Sequence, residues 1–286
     1  MTEHRPRRSA LYMPGSNPRA LVKARSLPAD VIIMDLEDAV AAGEKASARI
    51  LAEQALIEGG YGERETVLRV NGMDTEHCAK DMAVLTNAKP DAVLFPKIID
   101  GSDVLNAQKL LDDADPTGTI KMWLMLETPA SVLNAAAIVG SKANRLSALV
   151  VGTNDLAKDS GVSLDDGRAY LMPWLMQYVA AAKANGLTIL DGVSNALHGD
   201  EAFQAECRQG RAMGMDGKTL IHPKQIDPCN RVFSPSAEEI AEAATIIKAF
   251  DAPENAAKGV ISLNGKMVER LHLDMAKVTI AKTERL

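Results

Sequence analysis

Short apolar runs separated by longer amphipathic stretches recur along almost the whole chain. The runs are SALYMP (9–14), DVIIMDLE (30–37), TVLRVN (66–71), DAVLFPK (91–97), MWLMLE (122–127), SALVVG (147–152), LTILDG (187–192) and GKTLIHP (217–223). Most are apolar throughout rather than alternating, which is the pattern of a strand covered on both faces, as in a parallel sheet. Between them lie segments such as NPRALVKARS, GEKASARILAEQALIEGG and DEAFQAECRQGRAMG, with apolar residues near the helical period. Asn17 before Pro18, Thr128 before Pro129 and Gly186 after an alanine-rich stretch stand at helix-cap positions. Eight such strand–helix units in roughly 250 residues have the size and count of an α/β fold of the (β/α)8 TIM-barrel type. An open doubly wound sheet repeats the same unit, but eight regular units favour the barrel.

The end of the chain breaks the rhythm. The expected division is a TIM-barrel catalytic domain over 1–250 and a C-terminal extension over 251–286. That extension opens with Pro and Gly and closes in a helical pattern around Met267, Leu271, Met275 and Val278. Such an appendage is expected to pack on its own barrel or to reach a neighbouring subunit.

Composition narrows the function without choosing it. A chain of 286 residues can bury a sizeable core, and 47% hydrophobic with 24% charged residues is ordinary for a globular protein. A net charge of −6 gives no reason to expect nucleic acid or an anionic membrane as partner. Cys78, Cys207 and Cys229 form no CxxC pair and are expected as free thiols. The basic N-terminus lacks a signal-peptide apolar stretch and no run reaches membrane-spanning length, so a cytoplasmic location is expected. No GxGxxG or GxxxxGK[ST] occurs, which removes the main support for Rossmann and P-loop readings.

In a barrel, groups that handle ligands gather at the C-terminal ends of the strands. Those ends carry Glu37 and Asp38, Arg69 and Asn71, Lys97, Glu127, Asp155 and Asp191. Glu127 and Asp155 follow adjacent strands with no His or Cys nearby, which suits a hard divalent ion such as Mg²⁺. The plainer alternative is that Asp155 caps a helix beginning near Leu156 and Glu127 is salt-bridged. Arg69 has the planar fork that holds a carboxylate or a developing oxyanion, or else it forms a structural ion pair with Glu37 or Asp38. Lys97 is read as a positioned cation, with a Schiff-base amine as the alternative if it is desolvated. His77, His198, His222 and His272 share no metal-ligand spacing, and His222 is read as structural or supporting. Asp35, the first of three carboxylates in VIIMDLEDAV (31–40), has no assigned role.

Taken together, RSALYMPGSNPRALVKA, DLEDAVAAGEKASAR, LRVNG, LFPKI, LETPASV, GTNDLAKD and LIHPKQIDPCNRVFSPS resemble the citrate lyase β-subunit-like group of the HpcH/HpaI aldolase family. The match runs from about Arg8 to Glu269. The resemblance implies a TIM barrel that uses Mg²⁺ and CoA thioesters and assembles as a homotrimer or homohexamer. It makes Glu127 and Asp155 the metal ligands and Arg69 the substrate-binding arginine. Asp38, with Glu37 beside it, would organise metal-bound water and Arg69, while Tyr12, Asn17 and Lys23 stand at family positions for CoA contact. In the tail, GKMVER places Glu269 where lyases of this group carry a lid aspartate. The extra methylene lengthens that arm by roughly 1.5 Å.

The expected activity is therefore Mg²⁺-dependent carbon–carbon cleavage of a malyl-CoA-type 3-hydroxyacyl-CoA, giving glyoxylate and acetyl-CoA or propionyl-CoA. Hydrolysis of the (3S)-malyl-CoA thioester on the same site is an open alternative. So are a CoA-independent pyruvate aldolase and a citryl lyase subunit of a larger complex.

Overall fold

The computed structural model describes residues 5–196, 201–255 and 257–283, and His198 lies outside them. All eight runs contain strands: β1 Ser9–Pro14, β2 Val31–Asp35, β3 Glu65–Arg69, β4 Ala92–Phe95, β5 Lys121–Leu126, β6 Leu146–Val151, β7 Thr188–Asp191 and β8 Gly217–Leu220. They pair in parallel in sequence order, and β8 returns to β1, closing the (β/α)8 barrel. Among the described residues no helix is long and apolar enough to cross a membrane.

The strand period of two decides what enters the barrel. Ala10, Tyr12, Val31, Ile33, Val67, Leu94, Trp123, Met125, Ala148, Val150 and Leu190 form one interior cluster. Their neighbours along each strand, such as Leu11, Ile32, Leu68 and Leu149, are equally buried and face the helical layer. Both faces are thus covered, which is why the runs do not alternate.

The N-terminal ends of the strands are closed by an ion pair. Arg7 donates to Glu65 through Nε (2.7 Å) and Nη2 (2.8 Å), and through Nη1 to the Thr188 hydroxyl (3.0 Å). Its guanidinium lies 4.9 Å from the centroid of the Trp123 ring. The C-terminal ends are left to hold the chemistry.

Contacts divide the chain into two compact units, Arg7–Asn230 and Arg231–Leu286 together with residues 1–6. The helix Ala237–Asp251, which the expected boundary at 250 would leave with the barrel, belongs to the smaller unit. The reason is its packing partners: Ile246, Ile247 and Phe250 on this helix meet Ile261, Val268 and Leu273 in a core of their own. The extension is also less helical than its pattern predicts. Val260–Leu263 (β9) and Lys266–Glu269 (β10) form an antiparallel hairpin, and the helix runs over Arg270–Thr283. Asn264 and Gly265, at φ +54° and +78°, make the two-residue turn that this dipeptide favours. Met267 therefore lies on a strand rather than on the helix.

Candidate active site

Continuing the inward alternation past the interior cluster brings three charged side chains to the barrel mouth: Asp35 after Ile33, Arg69 after Val67 and Glu127 after Met125. Asp35, Arg69 and Glu127 are all buried. The Asp35 carboxylate grips Arg69 with both oxygens, Oδ1 accepting from Nε at 2.7 Å and Oδ2 from Nη2 at 2.6 Å. The same two oxygens accept from the backbone N–H groups of Glu37 (2.9 Å) and Ala39 (3.0 Å). Asp35 thus fixes both the arginine and the loop that follows β2. Lys45 holds this loop from the other side by donating to the carbonyls of Leu36 and Glu37 at 2.8 and 2.7 Å.

Glu37 Oε2 is 2.7 Å from Arg69 Nη1, a close contact outside hydrogen-bond geometry. Burial pushes the Glu37 carboxyl up to about 8; Arg69 opposes this and Asp38 and Glu127 reinforce it. Asp38, expected to organise Arg69, is largely exposed and stands 3.7 Å from Nη1. The close partners of Arg69 are Asp35 and Glu37. The ring of Tyr12 lies 4.8 Å beneath the guanidinium, and its buried hydroxyl has no hydrogen-bond partner. Tyr12 is thus grouped with the acidic centre, apart from the exposed Asn17 and Lys23, which stand just before and within the helix Pro18–Ala24. Asn17 caps that helix, its side chain accepting from Ala20 N at 3.1 Å.

Glu127 and Asp155 face one another across Lys97. Glu127 Oε1 accepts from the Lys97 backbone N–H at 2.8 Å. The Lys97 ammonium lies 3.5 Å from Asp155 Oδ1, 3.8 Å from Glu127 Oε1 and 3.9 Å from Glu37 Oε1. Burial draws its pKa down, but Glu127, Glu37 and Asp155 outweigh that and raise it. With 44% of its side chain exposed, the amine is not desolvated as the Schiff-base alternative requires. Asp155 lies within the first turn of the helix Thr153–Ser160, whose N-cap is Gly152, so it is not the cap.

Two residues collected at the strand ends play other parts. Asn71 donates to the Leu36 carbonyl (2.9 Å) and to Asp81 (2.6 Å), bracing the loop after β2. Asp191 follows the inward Leu190 and so faces the helices. There it pairs with Arg168 (2.8 Å) and with the wholly buried Lys218 (2.9 Å), which also meets Glu206 at 2.6 Å. His222 caps a turn, its Nδ1 accepting from Lys224 N at 3.2 Å.

Residues 8–223 match the model of the HpcH/HpaI aldolase/citrate lyase family. The chain belongs to this family. Its relatives include a (3S)-malyl-CoA thioesterase of Cereibacter sphaeroides, 47% identical over 281 residues and covering 98% of this chain and 96% of the relative. A citrate lyase subunit beta of Leuconostoc mesenteroides is 34% identical over 94% of this chain and 91% of its own length. Among solved structures, CitE of Mycobacterium tuberculosis in complex with magnesium, acetoacetate and coenzyme A superposes with a TM-score of 0.80. It is 27% identical and covers 97% of this chain and 98% of its own.

The family's metal chemistry can be tested on this chain's own atoms. Glu127 Oε2 is buried without a hydrogen-bond partner, a costly state for a carboxylate oxygen unless a cation takes it. Burial raises the Glu127 carboxyl, with Lys97 opposing. Space is kept for that oxygen by Gly152, where a Cβ would fall 2.5 Å from Glu127 Cβ and 2.6 Å from Oε2. Among the described residues no cluster of three His, Cys, Asp or Glu side chains forms a closed metal site. Two carboxylates with room for water and substrate are what Mg²⁺ ordinarily takes from a protein. The residues fit the ion.

Glu269, the tail carboxylate, closes β10 in the smaller unit, where its backbone N–H donates to His272 Nδ1 at 3.0 Å. Sequence reasoning missed Asp35 and Gly152. The first was legible in the strand period, since Val31, Ile33 and Asp35 share one face. The second shows only once β5 and β6 are side by side.

Proposed function

We propose that the chain hydrolyses the thioester of a malyl-CoA-type acyl-CoA, releasing the free hydroxy acid and CoA. The observation that carries this reading is the 47% identity to a (3S)-malyl-CoA thioesterase along nearly the full length of both chains. The acidic centre at the barrel mouth supports it. Carbon–carbon cleavage, the first expectation from sequence, is the second reading, favoured by the 34% identity to a citrate lyase subunit.

Glu127 and Asp155 would hold Mg²⁺, and the ion when bound supplies Lewis-acid polarisation of the oxygens it chelates. Arg69, fixed by Asp35 and Glu37, presents its remaining N–H groups to a substrate carboxylate or to the oxyanion that develops at the thioester carbonyl. Holding that guanidinium still before substrate arrives is what makes the stabilisation effective, because no reorganisation is left for the reaction step. Glu37, whose carboxyl sits near 8, can carry a proton at neutral pH and deliver it to a leaving group. Tyr12 adds an unspent hydroxyl beside Arg69. Glu269 is assigned the base that takes a proton from attacking water, while Asn17 and Lys23 are assigned to the CoA portion. Assembly as a homotrimer or homohexamer and a lid role for residues 251–286 belong to the same proposal.

Incubating the purified chain with malyl-CoA and Mg²⁺ and identifying the products tests this directly. Free malate with CoA supports hydrolysis, whereas glyoxylate with acetyl-CoA transfers the assignment to the lyase reading. Activity only after adding partner chains would make the protein a lyase subunit. Turnover of pyruvate and an aldehyde without CoA would sink the acyl-CoA assignment.

A further inference from the structure

Two lysines in this barrel sit among carboxylates, and they are held in opposite ways. Lys218 is wholly buried and makes short contacts of 2.6 and 2.9 Å to Glu206 and Asp191, so it is locked in place. Lys97 keeps 44% of its side chain exposed and stands 3.5–3.9 Å from three carboxylates, centred among them and tightly bonded to none. Two of its three neighbours, Glu127 and Asp155, are the proposed metal ligands. We infer that Lys97 is an exchangeable counter-ion, whose ammonium neutralises the carboxylate cluster until a divalent cation binds the same carboxylates, and which thereby sets how tightly that cation binds. The inference rests on the metal site assigned to Glu127 and Asp155.

Electrostatics requires the exchange. An ion coordinated by the two carboxylates at roughly 2.1 Å and an ammonium 3.5–3.8 Å from oxygens of those carboxylates repel one another strongly in a half-buried site. One must leave, and the flexible, half-exposed side chain has open solvent to enter. The backbone allows this without loss of the site. The Lys97 N–H keeps its 2.8 Å bond to Glu127 Oε1 whatever the side chain does. Its φ of +57° places this non-glycine residue in the left-handed region, a costly conformation that persists where surrounding contacts impose it. The main chain therefore positions a metal ligand while the side chain of the same residue competes with the metal.

The test is cation affinity, read without turnover. Mn²⁺ binding to the full-length protein, followed by calorimetry and by the electron paramagnetic resonance of free Mn²⁺, should tighten about tenfold or more in Lys97→Met and in Lys97→Gln. Lys97→Arg keeps the charge and should bind like the wild type. In the wild-type protein, Mg²⁺ should raise the labelling of Lys97 by an amine-acylating reagent severalfold, as mapped by mass spectrometry. Unchanged or weaker Mn²⁺ binding in the two neutral variants, or labelling indifferent to Mg²⁺, overturns the inference while leaving the metal site in place. Wild-type affinity retained in Glu127→Gln would instead remove the metal assignment, and the inference with it.

Discussion

Asp35→Asn separates the residue that organises Arg69 from the one the sequence nominated. Each Asp35 oxygen accepts two hydrogen bonds, one from the guanidinium and one from the backbone: Oδ1 from Arg69 Nε and Glu37 N, Oδ2 from Arg69 Nη2 and Ala39 N. An asparagine amide, whichever way it is turned, places an NH₂ against two of these four donors. Two bonds are lost, two donor–donor contacts are made, and the charge opposite a buried arginine disappears. Glu37 remains as a partner at 2.7 Å. Removing one member of a buried pair costs about 3–5 kcal/mol, and for a barrel of this size that lowers Tm by something on the order of 10 °C. Asp38→Asn alters a largely exposed carboxylate 3.7 Å away and should stay within about 0.5 kcal/mol of wild type. Thermal and urea unfolding of both variants measure the contrast. If the proposed function holds, kcat/KM for malyl-CoA should fall about a hundredfold in Asp35→Asn, because a loosened Arg69 is a misplaced one. Equal destabilisation by the two variants, or a stable Asp35→Asn, would refute the assignment of Asp35 as the anchor.

Gly152→Ala should leave the barrel folded but push the Glu127 carboxylate aside, since the added Cβ falls 2.6 Å from Oε2; Mn²⁺ affinity should drop at least tenfold, and wild-type affinity would falsify the cradle. Glu37, held near 8 by burial, against about 4.3 in an unfolded chain, keeps its proton in the folded state after the unfolded state has lost it. Its stabilising contribution is therefore present below about pH 4.5 and is lost as pH rises towards 8. Urea midpoints measured from pH 5 to 9 in EDTA should show that slope in wild type and lose it in Glu37→Gln; parallel curves would count against it. Lys218→Met strands Asp191 and Glu206 beside Arg168 alone and should cost about 3–5 kcal/mol, checked by calorimetric Tm; a loss below about 1 kcal/mol would mean the cluster relaxes freely.

The barrel was legible because its signal is repeated eight times and each instance is physical: a strand covered on both faces has to be apolar throughout. The nearness of Glu127 to Asp155 was legible for a related reason. Glu127 and Asp155 follow successive strands, so sequence order is also spatial order in a parallel barrel. Arg69 was found but its anchor was not, because charge counting treats Asp35, Glu37 and Asp38 as equivalent, whereas a period of two separates them. Asp35 ends a strand on its inward face and is sealed, and Asp38, past the strand, turns to solvent. The hairpin in the extension was missed on the opposite error. Met267, Leu271, Met275 and Val278 fit a helical period, yet Asn264–Gly265 imposes a turn that a period cannot register. What the sequence hid was held by closeness across elements, as where Gly152 yields its Cβ space to Glu127 and Lys97 stands between three carboxylates from three strands. Such contacts depend on register, and here the register β5 keeps with β4 and β6 brings one lysine and one glycine to the same carboxylate.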